Sequence, residues 1–115
     1  MKKPNNALGQ FEHLVLTAVA VLGDEAYGLA IQAEIEEFYL GTEVNLGSVY
    51  VTLERLELKG YVKSRYTESR SQQDGRSRRG FSLLKAGELA LKESINIQLR
   101  SHSRLARKLK WKPIM

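Results

Sequence analysis

Four arginines, Arg70, Arg76, Arg78 and Arg79, fall within ten positions, interleaved with serine, glutamine and glycine. Guanidinium groups at that density suit a polyanion, because each makes charge-assisted, forked hydrogen bonds to phosphate oxygens and the small neighbours let a duplex approach. A second set lies upstream on one predicted helix: Ser48, Tyr50, Val51, Thr52 and Arg55. Arg55 suits a two-pronged contact to guanine, the Ser48 and Thr52 hydroxyls suit bases or phosphates, and the Tyr50 hydroxyl suits a phosphate to one side. Each has a purely structural alternative: Ser48 as an N-cap, Thr52 packed inward, Arg55 paired with Glu54 or another nearby carboxylate. The arginine cluster likewise has one, a solvated loop that keeps a small protein soluble.

Other chemistry is poorly supported. The chain of 115 residues has no cysteine, so disulfides, thiolate metal sites and cysteine nucleophiles are excluded. Its two histidines, His13 and His102, are far apart, with no Ser/His/Asp, paired-carboxylate or phosphate-loop pattern around them, so neither an enzyme nor a cofactor is expected. His13 sits on a largely apolar helix, where a satisfied core or interface histidine is the plainer reading. Lys2 and Lys3 are followed by no long uncharged apolar run, which points to a soluble cytoplasmic protein without a membrane span.

Charge is unevenly spread: residues 1–60 carry 4 Lys/Arg and 9 Asp/Glu, residues 61–115 carry 14 and 4, and the net charge is +5. The basic half is suited to phosphates, although a solvated basic tail would show the same imbalance.

The elements that must position these groups follow from periodicity. Leu8 to Leu22 is apolar nearly all round a helical cylinder, so it is expected to be buried on two sides, the second against a partner subunit, with Phe11 and Val15 in that contact. Gly23-Asp24 ends it. A second helix opens at Tyr27-Gly28, with Leu29, Ile31, Ile35 and Phe38 apolar and Glu34, Glu36 and Glu37 exposed. A third spans about Leu46 to Lys59, with Val49, Leu53 and Leu56 facing the core and Gly47, Val51, Glu54 and Arg55 facing out. Leu58 also falls outward, and is expected to pack on whatever follows Gly60.

Alternation at Val62, Ser64 and Tyr66, then at Arg79, Phe81 and Leu83, predicts a hairpin with a long tip. Lys85 to about Lys110 reads as one helix of about 25 residues, roughly 37 Å long. That is longer than so small a domain can cover, and Leu89, Ile95 and Leu99 need a second surface, so a homodimer is expected. The fold class is therefore mainly α with a small β-hairpin (α+β): a winged helix-turn-helix over residues 1–84, a C-terminal dimerisation helix over 85–110 and a short tail over 111–115.

Six segments carry a resemblance: Leu8-Gly9-Gln10-Phe11-Glu12-His13-Leu14-Val15-Leu16, Ala26-Tyr27-Gly28, Leu46-Gly47-Ser48-Val49-Tyr50, Leu53-Glu54-Arg55-Leu56-Glu57, Lys59-Gly60-Tyr61-Val62 and Gly75-Arg76-Ser77-Arg78-Arg79. In order and spacing they resemble the PadR-type transcription regulators over roughly residues 8 to 91. The resemblance implies a homodimer built through the first and last helices, acting as a repressor at a near-palindromic operator in double-stranded DNA and often relieved by a small hydrophobic or phenolic ligand. It further implies groove and phosphate contacts at Ser48, Tyr50, Thr52 and Arg55, and a wing at Arg76, Arg78 and Arg79. One departure stands out: Gly80 occupies the place of one of two aromatics that usually follow the wing arginines. A pocket for an effector is conceivable at the dimer contact near Phe11, Val15, Ile95, Leu99 and Trp111, where simple interface filling is the plainer alternative. Two rival functions stay open, a winged helix that binds protein and a non-specific nucleic-acid binder. Preference for one sequence by roughly 10³ over bulk DNA separates a regulator from the latter.

Overall fold

The computed structural model describes residues 7–68 and 77–112. Its elements, in chain order, are α1 (Gln10–Leu22), a 3-10 turn (Gly23–Glu25), α2 (Gly28–Phe38), α3 (Leu46–Leu58), β1 (Val62–Glu68), β2 (Ser77–Leu83) and α4 (Lys85–Leu109). This is the expected α+β order, four helices and an antiparallel hairpin, and among the described residues no helix is long and apolar enough to cross a membrane.

The starts of α1 and α3 are set by side chains that satisfy otherwise orphaned backbone groups. At α1 the Glu12 carboxylate accepts the Gly9 N–H at 2.9 Å, one half of a capping box whose other half glycine has no side chain to make. The other Glu12 oxygen accepts from Lys59 Nζ at 2.8 Å, tying the start of α1 to the end of α3. At α3 the N-cap is Asn45, whose side chain accepts the Ser48 N–H at 2.9 Å, so the Ser48 hydroxyl is left free of that duty. The α2–α3 connection is braced from α2: Glu36 accepts the Val44 N–H at 2.9 Å and Gln32 donates to the Val44 carbonyl at 2.8 Å. Glu36, expected as a merely exposed residue, thus helps fix the angle at which α3 leaves the turn.

One core joins α1, α2, α3 and the hairpin, with Leu16, Ile31, Ile35, Leu53, Leu56 and Phe81 among its fully buried side chains. Val15 belongs to it as well. It is wholly buried within the protomer, so the expectation that it faces a partner subunit is corrected. Leu58 is corrected in the other direction: it is 91% exposed, because the turn at Gly60 (φ +80°) carries the chain away from it.

The hairpin pairs Val62 with Leu83, Ser64 with Phe81 and Tyr66 with Arg79, the alternation read from sequence. Its β2 strand also meets the α1–α2 connection: Tyr27 bridges Gly80, and Phe81 N–H donates to the Ala26 carbonyl at 2.9 Å. Gly80 is covered by Arg65, whose guanidinium atoms lie 3.1 to 3.2 Å from where a Cβ would stand. An arginine from the neighbouring strand thereby fills the space that the missing aromatic leaves. Most of α4 is solvent-facing within the protomer; of its residues only Gly87, Ser94 and Ala106 are buried. It is anchored at its start, where a Cβ on Gly87 would overlap the Tyr61 carbonyl, and midway, where Ser94 Oγ lies 2.7 Å from His13 Nδ1.

Candidate nucleic-acid interface

The outward side of α3 carries Ser48, Val51 and Arg55, all exposed, at positions three and four apart and therefore in one row along the helix. Val51, 58% exposed, offers a methyl-bearing surface one helical turn before Arg55. Tyr50 is half-buried and packs on the core. Its ring and hydroxyl lie against Gly28, where any Cβ would overlap them, so glycine at the head of α2 is what lets the tyrosine reach that place. Thr52 is not part of the row: it is 5% exposed, turned in beside Val49 and Leu56, and cannot reach a duplex.

On the hairpin the arginines divide. Arg78 is exposed and its guanidinium stacks 3.8 Å from the centre of the Tyr27 ring, a cation–π contact that orders the side chain while leaving its donors toward solvent. Arg65 lies 6.0 Å from the centre of the same ring and donates to the Asp24 carbonyl and to Ser82 Oγ, each at 3.0 Å. Arg79, expected on the phosphate-facing surface, is instead held on α3: Nη2 is 3.0 Å from Glu57 and Nη1 is 3.6 Å from Glu54. Arg70 and Arg76 lie outside the described residues. Sequence reading passed over Tyr27, Arg65 and Glu57. The signal for Tyr27 was its place immediately before the helix-opening Gly28, but its stacking partner stands 51 positions away.

Several ionisable groups have displaced equilibria with clear causes. For Glu12 burial opposes ionisation, but the hydrogen bonds from Lys59 and the Gly9 N–H, with the Lys59 and Arg55 charges, outweigh it and hold the carboxyl below its ordinary value. Glu57 is held low chiefly by the Ser64 hydroxyl and N–H, with Arg79 adding to them. Burial pushes His13 down. A depressed carboxyl contributes stability that is present above its unfolded value, near 4.5, and lost as pH falls through the folded value. His13 acts in the same direction from pH 6.5 downward, since the unfolded chain takes up that proton more readily. Thermal midpoints should therefore hold near neutrality, decline below about pH 6.5 and fall more steeply below about pH 4.5. Glu12→Gln should cost about 1 kcal/mol at pH 7 and flatten the acid limb, as calorimetry across pH would show.

Along α4, Leu89, Ile95 and Leu99 are 53%, 45% and 54% exposed, and Phe11 is half-buried. Within the protomer Leu99 and Trp111 line one open groove with His102 and Ala106, whereas Phe11 lines another with Tyr39, Val44 and Ser48, so the residues considered for an effector pocket are not gathered in one place. Among the described residues, no group of three or more His, Asp or Glu could hold a metal ion.

Three helices, a hairpin pinned to them by Ala26 and Tyr27, and an outward row on the third helix define a winged helix-turn-helix protein. The model of the transcriptional regulator PadR-like family matches residues 17–93, and the chain belongs to that family. It is similar to RosR of H. salinarum, with 32% identity, 91% of this chain and 93% of that chain covered, and a TM-score of 0.60. A PadR family transcription regulator from Clostridium difficile (24% identity, 88% and 98% covered, TM-score 0.66) and a PadR-like transcription factor from Bacteroides fragilis (22%, 88% and 90%, 0.66) share the fold. No curated protein sequence matches the chain. It is a transcription regulator, in a family that is not enzymatic.

Proposed function

We propose that this regulator is a homodimeric repressor that binds an inverted-repeat operator in double-stranded DNA. The observation that carries the reading is the exposed row Ser48, Val51 and Arg55 on an Asn45-capped helix, with Arg78 stacked on Tyr27 at the adjoining hairpin. In this reading α3 enters the major groove, Ser48, Val51 and Arg55 meet base edges, and Tyr50 takes a flanking phosphate. Arg78, with Arg70 and Arg76 between the strands, follows the backbone or the minor groove. Residues 1–84 form the DNA-binding unit, residues 85–110 pair with a second copy through Leu89, Ile95 and Leu99, with Phe11 at its margin, and residues 111–115 are a tail. A small hydrophobic or phenolic effector would act where the two copies meet, near Leu99 and Trp111. The protein works in the cytoplasm.

Two recognition helices related by a two-fold axis meet successive major grooves about 34 Å apart. Footprinting should therefore protect two inverted half-sites about one helical turn, or a small multiple of it, apart; a single asymmetric half-site would contradict the dimer. Arg55→Ala should reduce discrimination against a mismatched base pair by about 1–3 kcal/mol. Arg78→Ala should weaken specific and scrambled duplexes alike and lower the slope of log K against log salt by about 0.9. Anisotropy titrations of both variants on both duplexes separate the roles, and equal loss of preference would show the division to be wrong.

A further inference from the structure

We infer that Arg79 is a positioning residue, which with Glu57 fixes the wing against the recognition helix and makes no contact with DNA. The inference rests on the DNA-binding reading above. One carboxylate near the end of α3 holds both strands of the hairpin. From β1, Ser64 donates to Glu57 Oε2 through its N–H at 3.1 Å and its hydroxyl at 2.8 Å. From β2, Arg79 donates to Glu57 Oε1 at 3.0 Å and stands 3.6 Å from Glu54.

The Arg79 side chain is only 23% exposed, its Nε is buried, and its guanidinium lies 5.1 Å from the centre of the Phe81 ring and 6.0 Å from that of Tyr66. To reach a phosphate it would have to leave two carboxylates and two aromatic faces, exposing an uncompensated Glu57 to the polyanion. Arg79 with Glu54 and Glu57 is net negative, so it repels phosphate where Arg78, one position earlier on the opposite face of the strand, attracts it. Arginine suits the place because its planar fork serves two carboxylates at once, which a lysine ammonium does less well.

If the strut sets the angle between groove reader and wing, breaking it lowers the preference for the right sequence, because the two contacts no longer fall in register together. The comparison uses Arg79→Ala, Arg79→Lys, Glu57→Gln and the Arg79→Ala/Glu57→Gln double variant, on the upstream duplex of the protein's own gene and its scrambled counterpart. The expected result is a loss of about fivefold in the preference ratio for Arg79→Ala and for Glu57→Gln, no further loss in the double variant, partial recovery in Arg79→Lys and an unchanged salt slope for Arg79→Ala. The Ser64 amide, which donates to Glu57, should exchange its hydrogen about fivefold faster in Arg79→Ala without any DNA present.

A salt slope lowered by about 0.9 in Arg79→Ala, with both duplexes weakened alike and Ser64 exchange unchanged, would overturn the inference and make Arg79 a phosphate contact. No change in either preference or exchange would overturn it too. Absence of any preference in the unaltered protein would count against the regulator reading alone, and Ser64 exchange would then decide whether the strut exists.

Discussion

Phe81→Ala should lower stability by about 4 kcal/mol and the thermal midpoint by roughly 20 °C. Phe81 is wholly buried and is among the largest such side chains. It enters the core from β2, opposite Ser64, while its N–H donates to the Ala26 carbonyl, so the backbone is held on one side and the ring fills the space between the hairpin and the helices. Gly80 contributes no side chain beside it, and Arg65 covers that neighbour from outside without entering the core. Truncation therefore leaves a cavity between the hairpin and the helices. The loss should appear in chemical and thermal unfolding, and Phe81→Leu should recover more than half. A loss under about 1 kcal/mol would mean that the hairpin is held chiefly by its edge contacts.

Leu99→Glu should convert the proposed dimer to a monomer and weaken binding to the proposed operator by about 10² or more. Leu99 is 54% exposed in the protomer, on a helix of 25 residues that the protomer itself covers only sparsely. In a two-fold contact each substitution appears twice, so two unpaired carboxylates would be placed into one apolar seam. The DNA effect follows because a dimer holds its second half-site at high local concentration once the first is bound. Light scattering at micromolar concentration and anisotropy on the operator read the two effects separately. An unaltered dimer mass would place the subunit contact elsewhere, and full affinity in a monomer would show that one half-site suffices.

The helices and the alternation within each strand were legible in the sequence because each rests on a local period: three to four residues for Val49, Leu53 and Leu56, two for Ser64, Tyr66, Phe81 and Arg79. The cross-strand register was not, since it depends on how the two strands meet. Thr52 shows how close a correct reading was. It lies 60° from Val49 on a helix of 100° per residue, nearer the core side than the groove side, and its hydroxyl chemistry misled. Val15 could not be assigned from an all-round apolar helix, since the side given to a partner depends on where α3 and the hairpin pack. Arg79 looked like its neighbour Arg78, but adjacent strand residues face opposite ways, and only the fold brings Glu57, 22 positions earlier, beneath one of them. The Glu36 and Gln32 brace was invisible for the same reason, because its target, the Val44 backbone, is defined by the turn.

The most direct test is fluorescence anisotropy of the purified protein on a duplex from upstream of its own gene, beside a scrambled duplex of equal length, at two salt concentrations. The expected result is preference for the first by roughly 10³ that persists at the higher salt, because groove contacts survive the screening that removes the phosphate contribution. Equal binding to both duplexes that vanishes with salt would contradict a sequence-reading recognition helix and leave only a basic surface.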